Sequence, residues 1–300
     1  MASQRDVKNK INSVKNIQKI TRALETVAAA RLRRAEQRID ALRPYAGAIR
    51  RMTRQAARAA GAETARLPLL QEHDSERNVG LLLVTGDRGL AGGFNSQIIR
   101  AGVRIASELG GEGKQPAWYA AGRRGVSSIS FRGYQLSGSY TGFADRPAYA
   151  DARSIADDLI TGYVDGRLDR VEIVYNAYIS PLTQRVTREQ LLPLSHATIA
   201  GEEDEEQDDQ ADGPRALVEY EPGPEELLRR LIPDYIEISI YRALVESTAG
   251  FFGAQMTAMR SASDNAGTLI TDYTLEMNRA RQAEITQEIA EVVAGAEGLS

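Results

Sequence analysis

The stretch "LLLVTGDRGLAGGFNSQIIRAG", from Leu81 to Gly102, combines an apolar run, a glycine-rich loop and a helical pattern. A buried strand that runs into such a loop is typical of α/β folds that hold phosphate groups at the start of a helix. The stretch therefore predicts an α/β fold, and it raises the question of whether the loop binds a nucleotide.

The spacing of the glycines argues against a nucleotide. A P-loop needs a second glycine where this chain has Ala91, followed by Lys and then Ser or Thr, and no such pair follows. The dinucleotide pattern G-x-G-x-x-G does not match the spacing of the loop glycines either, which are Gly86, Gly89, Gly92 and Gly93. We interpret the loop as a strand-to-helix turn in which glycine permits positive φ, with Asn95 or Ser96 as the helix cap. A phosphate at the helix start is the alternative.

Strands and helices alternate around this loop. Strands are predicted from apolar and β-branched runs at residues 78–85, 116–122, 170–179, 184–194 and 216–222. Helical patterns occupy residues 95–109, 122–130 and 148–163. This alternation predicts a Rossmann-like α/β domain whose sheet is covered on both faces.

Both ends of the chain show a different, helical period. Apolar residues from Ile11 to Leu42 recur about every 3.5 residues, close to a heptad seam. Pro44 is expected to kink or split this helix, and Gly61 and Pro68 to end it. A second stripe runs from Ile236 to Val292, and Pro233 fits the first turn of that helix.

Two amphipathic helices at opposite ends of a chain bury their stripes most simply against each other. We predict a long antiparallel two-helix coiled coil, with the α/β domain inserted between its helices. The predicted parts are residues 1–66, the inserted domain 67–221, and residues 222–300, which pair with the first part. A bundle of helices that break at Pro44 and Gly250 is the alternative.

The amino-acid composition excludes several classes of protein. The 300 residues include no cysteine, which excludes disulfides and thiolate chemistry, and no segment has the length and apolarity of a membrane span. The charged N-terminus lacks the apolar stretch of a signal peptide, so we expect a cytoplasmic protein. The net charge of −4 hides sixteen Lys and Arg against five Asp and Glu in residues 1–66. This asymmetry predicts charged partners.

No catalytic constellation is present in the sequence. The only histidines are His73 and His196, which lie in predicted loops, and no G-x-S-x-G or H-E-x-x-H motif occurs. We therefore expect no catalytic, cofactor-binding or metal-binding residues. The basic first helix leaves open a nucleic-acid-binding coiled coil, although Tyr45 is its one aromatic residue. A small-molecule enzyme built on the α/β domain is a further alternative.

Four stretches resemble the gamma subunit of F-type ATP synthases. "KNKINSVKNIQKITRALETVAAARLRRAE" (Lys8–Glu36) is similar to the N-terminal shaft helix of that family. "GDRGLAGGFN" (Gly86–Asn95) is similar to its glycine loop, in which a cysteine often stands at the position of Ala91. The chain also has an acidic segment, "GEEDEEQDDQADG" (Gly201–Gly213), and the resemblance includes "QLLPL" before it and "YEP" after it. It is completed, in the family's order, by "AMRSASDNA" and by "RARQAEITQEIAEVVAGA" (Arg279–Ala296).

The resemblance implies a non-catalytic rotor subunit. In the family, the paired helices pass through a hexamer of alpha and beta subunits, and the α/β domain meets the epsilon subunit and the membrane ring of c subunits. Proton flow turns the ring and the shaft together, and the shaft drives beta through its conformations. The resemblance thus implies those partners, no nucleic acid, no cofactor, and a peripheral place on the cytoplasmic face of a bacterial cell membrane.

The resemblance also implies roles for particular residues. Arg31, Arg33 and Arg34 match a basic turn that faces the acidic lever of beta. Polar residues that match contacts with the surrounding collar are Gln282, Thr286 and Glu288. Gln255 stands where the family often has a basic residue.

The acidic segment has two open interpretations. It is either an inert solvated loop or a brake that touches basic surfaces. The candidate regulatory residues in it are Glu202, Glu203, Asp204, Glu205, Glu206, Asp208 and Asp209.

Overall fold

The computed structural model describes residues 4–61, 67–194 and 223–297. The chain forms two compact units: one contains Met1–Ala30 and Gln255–Ser300, and the other is Arg31–Ala254. Helix α1 (Gln4–Ala60) and helix α5 (Pro224–Glu297) contribute to both units. The predicted division at residues 66 and 222 stays a prediction.

The first unit consists of α1 and α5 paired antiparallel. Lys10 Nζ lies 5.7 Å from the ring centroid of Tyr273, and Gln18 donates a hydrogen bond to the carbonyl of Ser263. Further along, Glu25 forms an ion pair of 2.8 Å with Arg260. Because the contacts advance along α1 while they move backwards along α5, the helices run in opposite directions, as the sequence predicted.

Both prolines of the terminal helices lie inside those helices. Pro44 lies inside α1, which is one helix of 57 residues, so the expected split is wrong. Pro233 lies inside α5, and Pro224 takes the first-turn position instead. Buried apolar residues continue the helical stripe across each proline, including Ile49 in α1 and Leu231 and Ile236 in α5. Core packing of those residues outweighs the local cost of the missing backbone N–H.

The second unit contains a sheet of five strands in the order β3-β2-β1-β4-β5. The strands are β1 (Asn78–Val84), β2 (Gln115–Ala121), β3 (Leu136–Tyr140), β4 (Arg170–Ser180) and β5 (Thr183–Leu192). β1 is central and parallel to β2 and β4, with Leu82 opposite Tyr119 on one side and Ile173 on the other. β3 is parallel to β2, and β5 pairs antiparallel with β4.

Helices cover the two faces of the sheet. The intervening helices are α2 (Phe94–Gly111), α3 (Arg123–Phe131) and α4 (Tyr149–Val164). Leu82, Val84 and Ile173 pack into one core with Leu159 of α4 and Ile236 of α5. α2 and α3 contact the strands as well, and Leu83 lies directly against Gly102 of α2. The continuous apolar run of β1 is thus explained by burial on both sides.

A half-buried charge cluster joins the sheet to α5. Arg242 of α5 forms an ion pair of 2.6 Å with Glu189 of β5 and lies 3.6 Å from Glu246 one turn along its own helix. Tyr175 of β4 donates a 2.7 Å hydrogen bond to Glu189. Burial alone would lower the pKa of Arg242, but Glu189, Tyr175 and Glu246 together outweigh burial and raise that pKa. A second link runs to α1, where Tyr178 donates a hydrogen bond to Glu36.

The fold confirms the predicted class, an antiparallel helix pair from the two chain ends with an α/β sheet between them in sequence. β3 was missed because "LSGSY" has no apolar run and alternates small polar residues. The strand predicted at 216–222 and the acidic segment lie outside the described residues.

Two glycines of α2 give a matched test of this packing. A Cβ on Gly102 would lie 2.6 Å from a methyl group of the buried Leu83, whereas a Cβ on Gly110 would have nothing within 4 Å. We expect Gly102→Ala to lower the free energy of unfolding by about 1–3 kcal/mol through overpacking. Gly110→Ala is expected to be neutral or to stabilise by up to about 1 kcal/mol. Urea denaturation of both variants measures the difference, and equal effects would contradict the packing described.

Candidate functional site

The glycine loop connects β1 to α2 and binds the neighbouring loops of the sheet. Thr85 Oγ1 accepts a 2.9 Å hydrogen bond from the backbone N–H of Gly125, and its hydroxyl lies 3.1 Å from the carbonyl oxygen of Ala121. The N–H of Gly86 donates to Oδ1 of Asn95, whose amide donates to the carbonyl of Arg88. The loop is therefore held closed by its own side chains. Since α2 begins at Phe94 and Asn95 is bound back onto the loop, the expected capping by Asn95 is wrong.

Asp87 fixes three loops at the C-terminal edge of the sheet. One carboxylate oxygen accepts a 2.9 Å hydrogen bond from the N–H of Arg123, at the start of α3. The other accepts from the N–H groups of Gly142 and Ala144, in the segment after β3. The ends of β1, β2 and β3 are thus tied together through one side chain. No sequence motif marks Asp87, although it lies in the glycine loop three residues after the end of β1.

The loop glycines have different structural reasons, and a tightly packed neighbour excludes a side chain only at Gly86. Only Gly92 among them has a positive φ, 55°, and the neighbouring Leu90 has φ 66°. A Cβ on Gly86 would lie 2.9 Å from the ring of Phe251 in α5, and one on Gly89 would lie 2.8 Å from the guanidinium of Arg124. Gly93, whose Cβ would lie 3.3 Å from Gln97, precedes α2. The expectation that positive φ explains this glycine cluster therefore holds at Gly92 alone.

The crevice above the parallel strands is filled by protein. Ligands of open α/β sheets bind at the C-terminal ends of the strands. Here Leu244, Thr248 and Phe251 of α5 line that space next to Val84 and Gly86, and about 10 Å³ remains free. Such a volume holds about one water molecule. This crevice has no room for a nucleotide, in agreement with the missing phosphate-binding motifs.

The basic turn of α1 lies beside the segment that follows β3. Arg31 is half-exposed, forms an ion pair of 3.3 Å with Asp145, and has its guanidinium 5.6 Å from the ring centroid of Phe252. Asp145 also pairs with Arg88 of the glycine loop at 3.3 Å. Arg33 and Arg34 are exposed, and neither side chain has a partner among the described residues. The structure thus brings the basic turn and the glycine loop together through Asp145, which the sequence analysis did not identify.

The predicted collar residues lie in the first unit on an exposed part of α5. Every residue from 281 to 294 is exposed. Thr286 donates a 2.8 Å hydrogen bond to the carbonyl of Gln282 one turn earlier. The same stretch exposes Ile285, Ile289, Val292 and Val293, the last three by more than half of their surface. Gln282, Thr286 and Glu288 therefore border exposed apolar side chains, a pattern of contact surfaces for other proteins.

The described residues were also compared with the requirements for a metal site and for a membrane-spanning helix. Within the described residues, no group of three or more His, Asp or Glu side chains is arranged to hold a metal ion. No helix in the same part of the chain combines the length and apolarity that crossing a membrane requires. The acidic residues Glu202 to Asp209 lie outside the described residues.

A filled crevice, an antiparallel helix pair, and exposed basic and apolar helix surfaces are features typical of a protein that binds other proteins. The model of the ATP synthase family matches residues 3–299. An ATP synthase gamma chain of Rubrobacter xylanophilus is 43% identical over all of this chain and 99% of its own. The gamma chain of Moorella thermoacetica is 41% identical over the whole of both chains. The chain therefore belongs to the ATP synthase gamma chain family, and the resemblance noted in the sequence is confirmed.

Solved structures show the same fold at low identity. A chain of the Euglena gracilis mitochondrial ATP synthase, in the OSCP/F1/c-ring structure, has a TM-score of 0.68 and 16% identity, covering 99% of this chain and 94% of its own. A chain of the Tetrahymena thermophila central stalk and c-ring structure has a TM-score of 0.59 and 23% identity, covering 81% of this chain and 99% of its own.

Replacing Asp87 tests the loop junction. Asp87→Ala removes a charged acceptor from three backbone N–H groups, two of which remain accessible to water. We expect a loss of about 1–3 kcal/mol in the free energy of unfolding, measured in urea. The exposed Asp165, which pairs with Arg167, provides the control, because Asp165→Ala removes a surface pair worth at most about 1 kcal/mol. A smaller loss at Asp87 than at Asp165 would contradict the role given to Asp87.

Proposed function

We propose that this chain is the central rotor shaft of an F-type ATP synthase, without nucleotide chemistry of its own. It couples proton flow through the c-ring to the conformational cycle of the catalytic alpha and beta subunits. Membership of the gamma chain family supports this, and so do similar folds in structures described as a central stalk and as a rotor. Within the complex, this chain lies peripherally at the cytoplasmic face of a bacterial cell membrane.

The observation that carries the proposal is the exposed apolar surface of the paired helices. Within the first unit, Ile17 and Ile20 of α1 and Leu275 of α5 are each more than half exposed although the two helices are already paired. Side chains of this size on an already paired helix indicate a further protein surface around them. A surrounding sleeve of alpha and beta subunits provides such a surface.

The collar contacts follow from the same exposed surface. Gln282, Thr286 and Glu288 supply polar groups among the apolar side chains near the end of α5. Since the Thr286 hydroxyl already donates to the helix backbone, it meets a neighbour mainly as an acceptor. Few strong bonds at this position suit a part that must turn within its collar. In this proposal the epsilon subunit and the c-ring contact the second unit, which contains the sheet.

The basic turn is the proposed contact with the acidic lever of beta. Arg33 and Arg34 are exposed without a described partner, and Arg31 is half-exposed beside Asp145. Opposite charges attract more strongly in a partly dry contact than in water, so the attraction varies with the position of the rotor.

Substituting the basic turn tests coupling separately from assembly. A tagged chain carrying Arg31→Ala, Arg33→Ala and Arg34→Ala is expected to co-purify with alpha, beta, epsilon and c subunits in stoichiometric amounts. ATP-driven proton pumping per ATP hydrolysed should fall severalfold, because the contact with beta is weakened. The control replaces three exposed arginines of the α/β unit, Arg100, Arg104 and Arg132, by Ala and should pump normally.

Two results of that experiment would contradict the proposal. Unchanged pumping by the triple variant would reject the role of the basic turn. Failure of the unsubstituted tagged chain to co-purify with alpha and beta would reject the rotor function itself. The double variant Arg33→Ala, Arg34→Ala retains the Arg31–Asp145 ion pair and should show the same direction of change.

The acidic segment is proposed as a brake on rotation in the hydrolytic direction. Its support is the charge of Glu202, Glu203, Asp204, Glu205, Glu206, Asp208 and Asp209 and the abundance of arginine on α1. Deleting residues 202–212 is expected to raise the ATP hydrolysis rate of the assembled complex about twofold or more. A replacement of the same length by Gly and Ser is the control for loop length. Equal rates in all three complexes would assign the segment as an inert solvated loop.

A further inference from the structure

Two arginines of the basic turn, Arg31 and Arg34, also line a cleft of the second unit together with Arg38 and Arg146. The cleft has a free volume of about 360 Å³. It is enclosed by α1, the segment between β3 and α4, and α5. Its lining residues are Arg31, Arg34, Ala35, Arg38, Asp145, Arg146, Thr248 and Phe252.

The charges of the cleft are not balanced. Asp145 is the one acidic residue that lines it in the described part of the chain, and that carboxylate already pairs with Arg31 and, outside the cleft, with Arg88, at 3.3 Å each. The side chains of Arg34, Arg38 and Arg146 have no partner among the described residues. Like charges that share a small space repel each other, so an anion that enters it is stabilised.

The side chains that line the cleft determine which kind of anion it can bind. Guanidinium groups bind phosphate oxygens in two-pronged geometry, and several of them around one cleft suit a ligand with several negative charges. The buried Phe252 forms an apolar wall that weakens screening by water. Thr248 donates its hydroxyl to backbone carbonyls and has no hydrogen left for an anion. Recognition therefore rests on the arginines.

We propose that this cleft binds a multivalent phosphate anion, either a free polyphosphate or the phosphate chain of a nucleotide. The free volume lies near the lower end of the range found for small-molecule sites, about 300–1,000 Å³. This site is distinct from the filled crevice above the strands. Arg38 and Arg146 take no part in the contact proposed for beta. A bound anion neutralises Arg31 and Arg34 from behind and so weakens their attraction for an acidic lever.

The test titrates the full-length chain at low salt with inorganic phosphate, tripolyphosphate and magnesium-free ATP, by isothermal calorimetry. Tripolyphosphate is expected to bind at least tenfold more tightly than inorganic phosphate, because it carries more charge. Arg38→Gln with Arg146→Gln should weaken tripolyphosphate binding tenfold or more. The control, Arg100→Gln with Arg132→Gln, removes the same charge from exposed positions outside the cleft and should change the affinity less than twofold.

Two further titrations test the role of Asp145 and identify the kind of ligand. Asp145→Asn removes the competing carboxylate and should tighten tripolyphosphate binding severalfold. ATP that binds as tightly as tripolyphosphate supports a site for the phosphate chain alone, and tighter binding of ATP supports a nucleotide as its source.

Three outcomes would overturn the proposal. They are no measurable tripolyphosphate binding by the unsubstituted chain, equal losses in the cleft and control variants, or tighter, cleft-dependent binding of a short Asp- and Glu-rich peptide. The last outcome would assign the cleft to a protein partner. Because the isolated chain is used, none of these outcomes depends on the rotor function. Circular dichroism of each variant confirms that it is folded.

Discussion

The structure of the second unit depends on the burial of α5 against the sheet. Ile236, Ile240 and Leu244 of this helix join the same core as Leu82 and Val84 of the central strand. Beyond them, Phe251 fills the space in which other α/β proteins hold a ligand. One helix thus supplies a large part of the core and closes the crevice. The sheet anchors helices in this protein and does not bind a nucleotide in that crevice.

Polar contacts fix how the helices are positioned on the strands, which apolar packing alone does not specify. The Arg242–Glu189 ion pair ties α5 to β5, and Tyr178 ties β4 to Glu36 of α1. The two charged side chains of the Arg242–Glu189 pair are 30% and 33% exposed, so this pair fixes the position of the helix along the strands more than it adds to stability. At the C-terminal edge, Asp87 holds the three loops together. A subunit that carries mechanical load benefits from links of this kind, which oppose sliding.

The sequence predicted the elements with strong periodicity and missed contacts that depend on tertiary structure. The helical stripes of α1 and α5 and the apolar runs of β1 and β4 were identified from spacing alone, and the family from four motifs. β3 was missed because its residues are small and polar. Pro44 and Pro233 misled because local chemistry was weighed without the core around them. Asp87, Asp145 and Phe251 act through residues distant in sequence, so no local pattern reveals them. The basic turn was found from charge density, and its roles remain predictions.

The antiparallel pairing also has a consequence for synthesis of the chain. Gln18 and its partner Ser263 are separated by 245 residues. At about 5–20 residues per second, the beginning of α1 leaves the ribosome roughly 10–50 seconds before the segment that covers its apolar stripe. During that interval the nascent N-terminal segment exposes its apolar stripe, which favours association with other chains. The nascent helix therefore needs a chaperone or a partner subunit that binds it early, or translation fast enough to shorten the time of exposure.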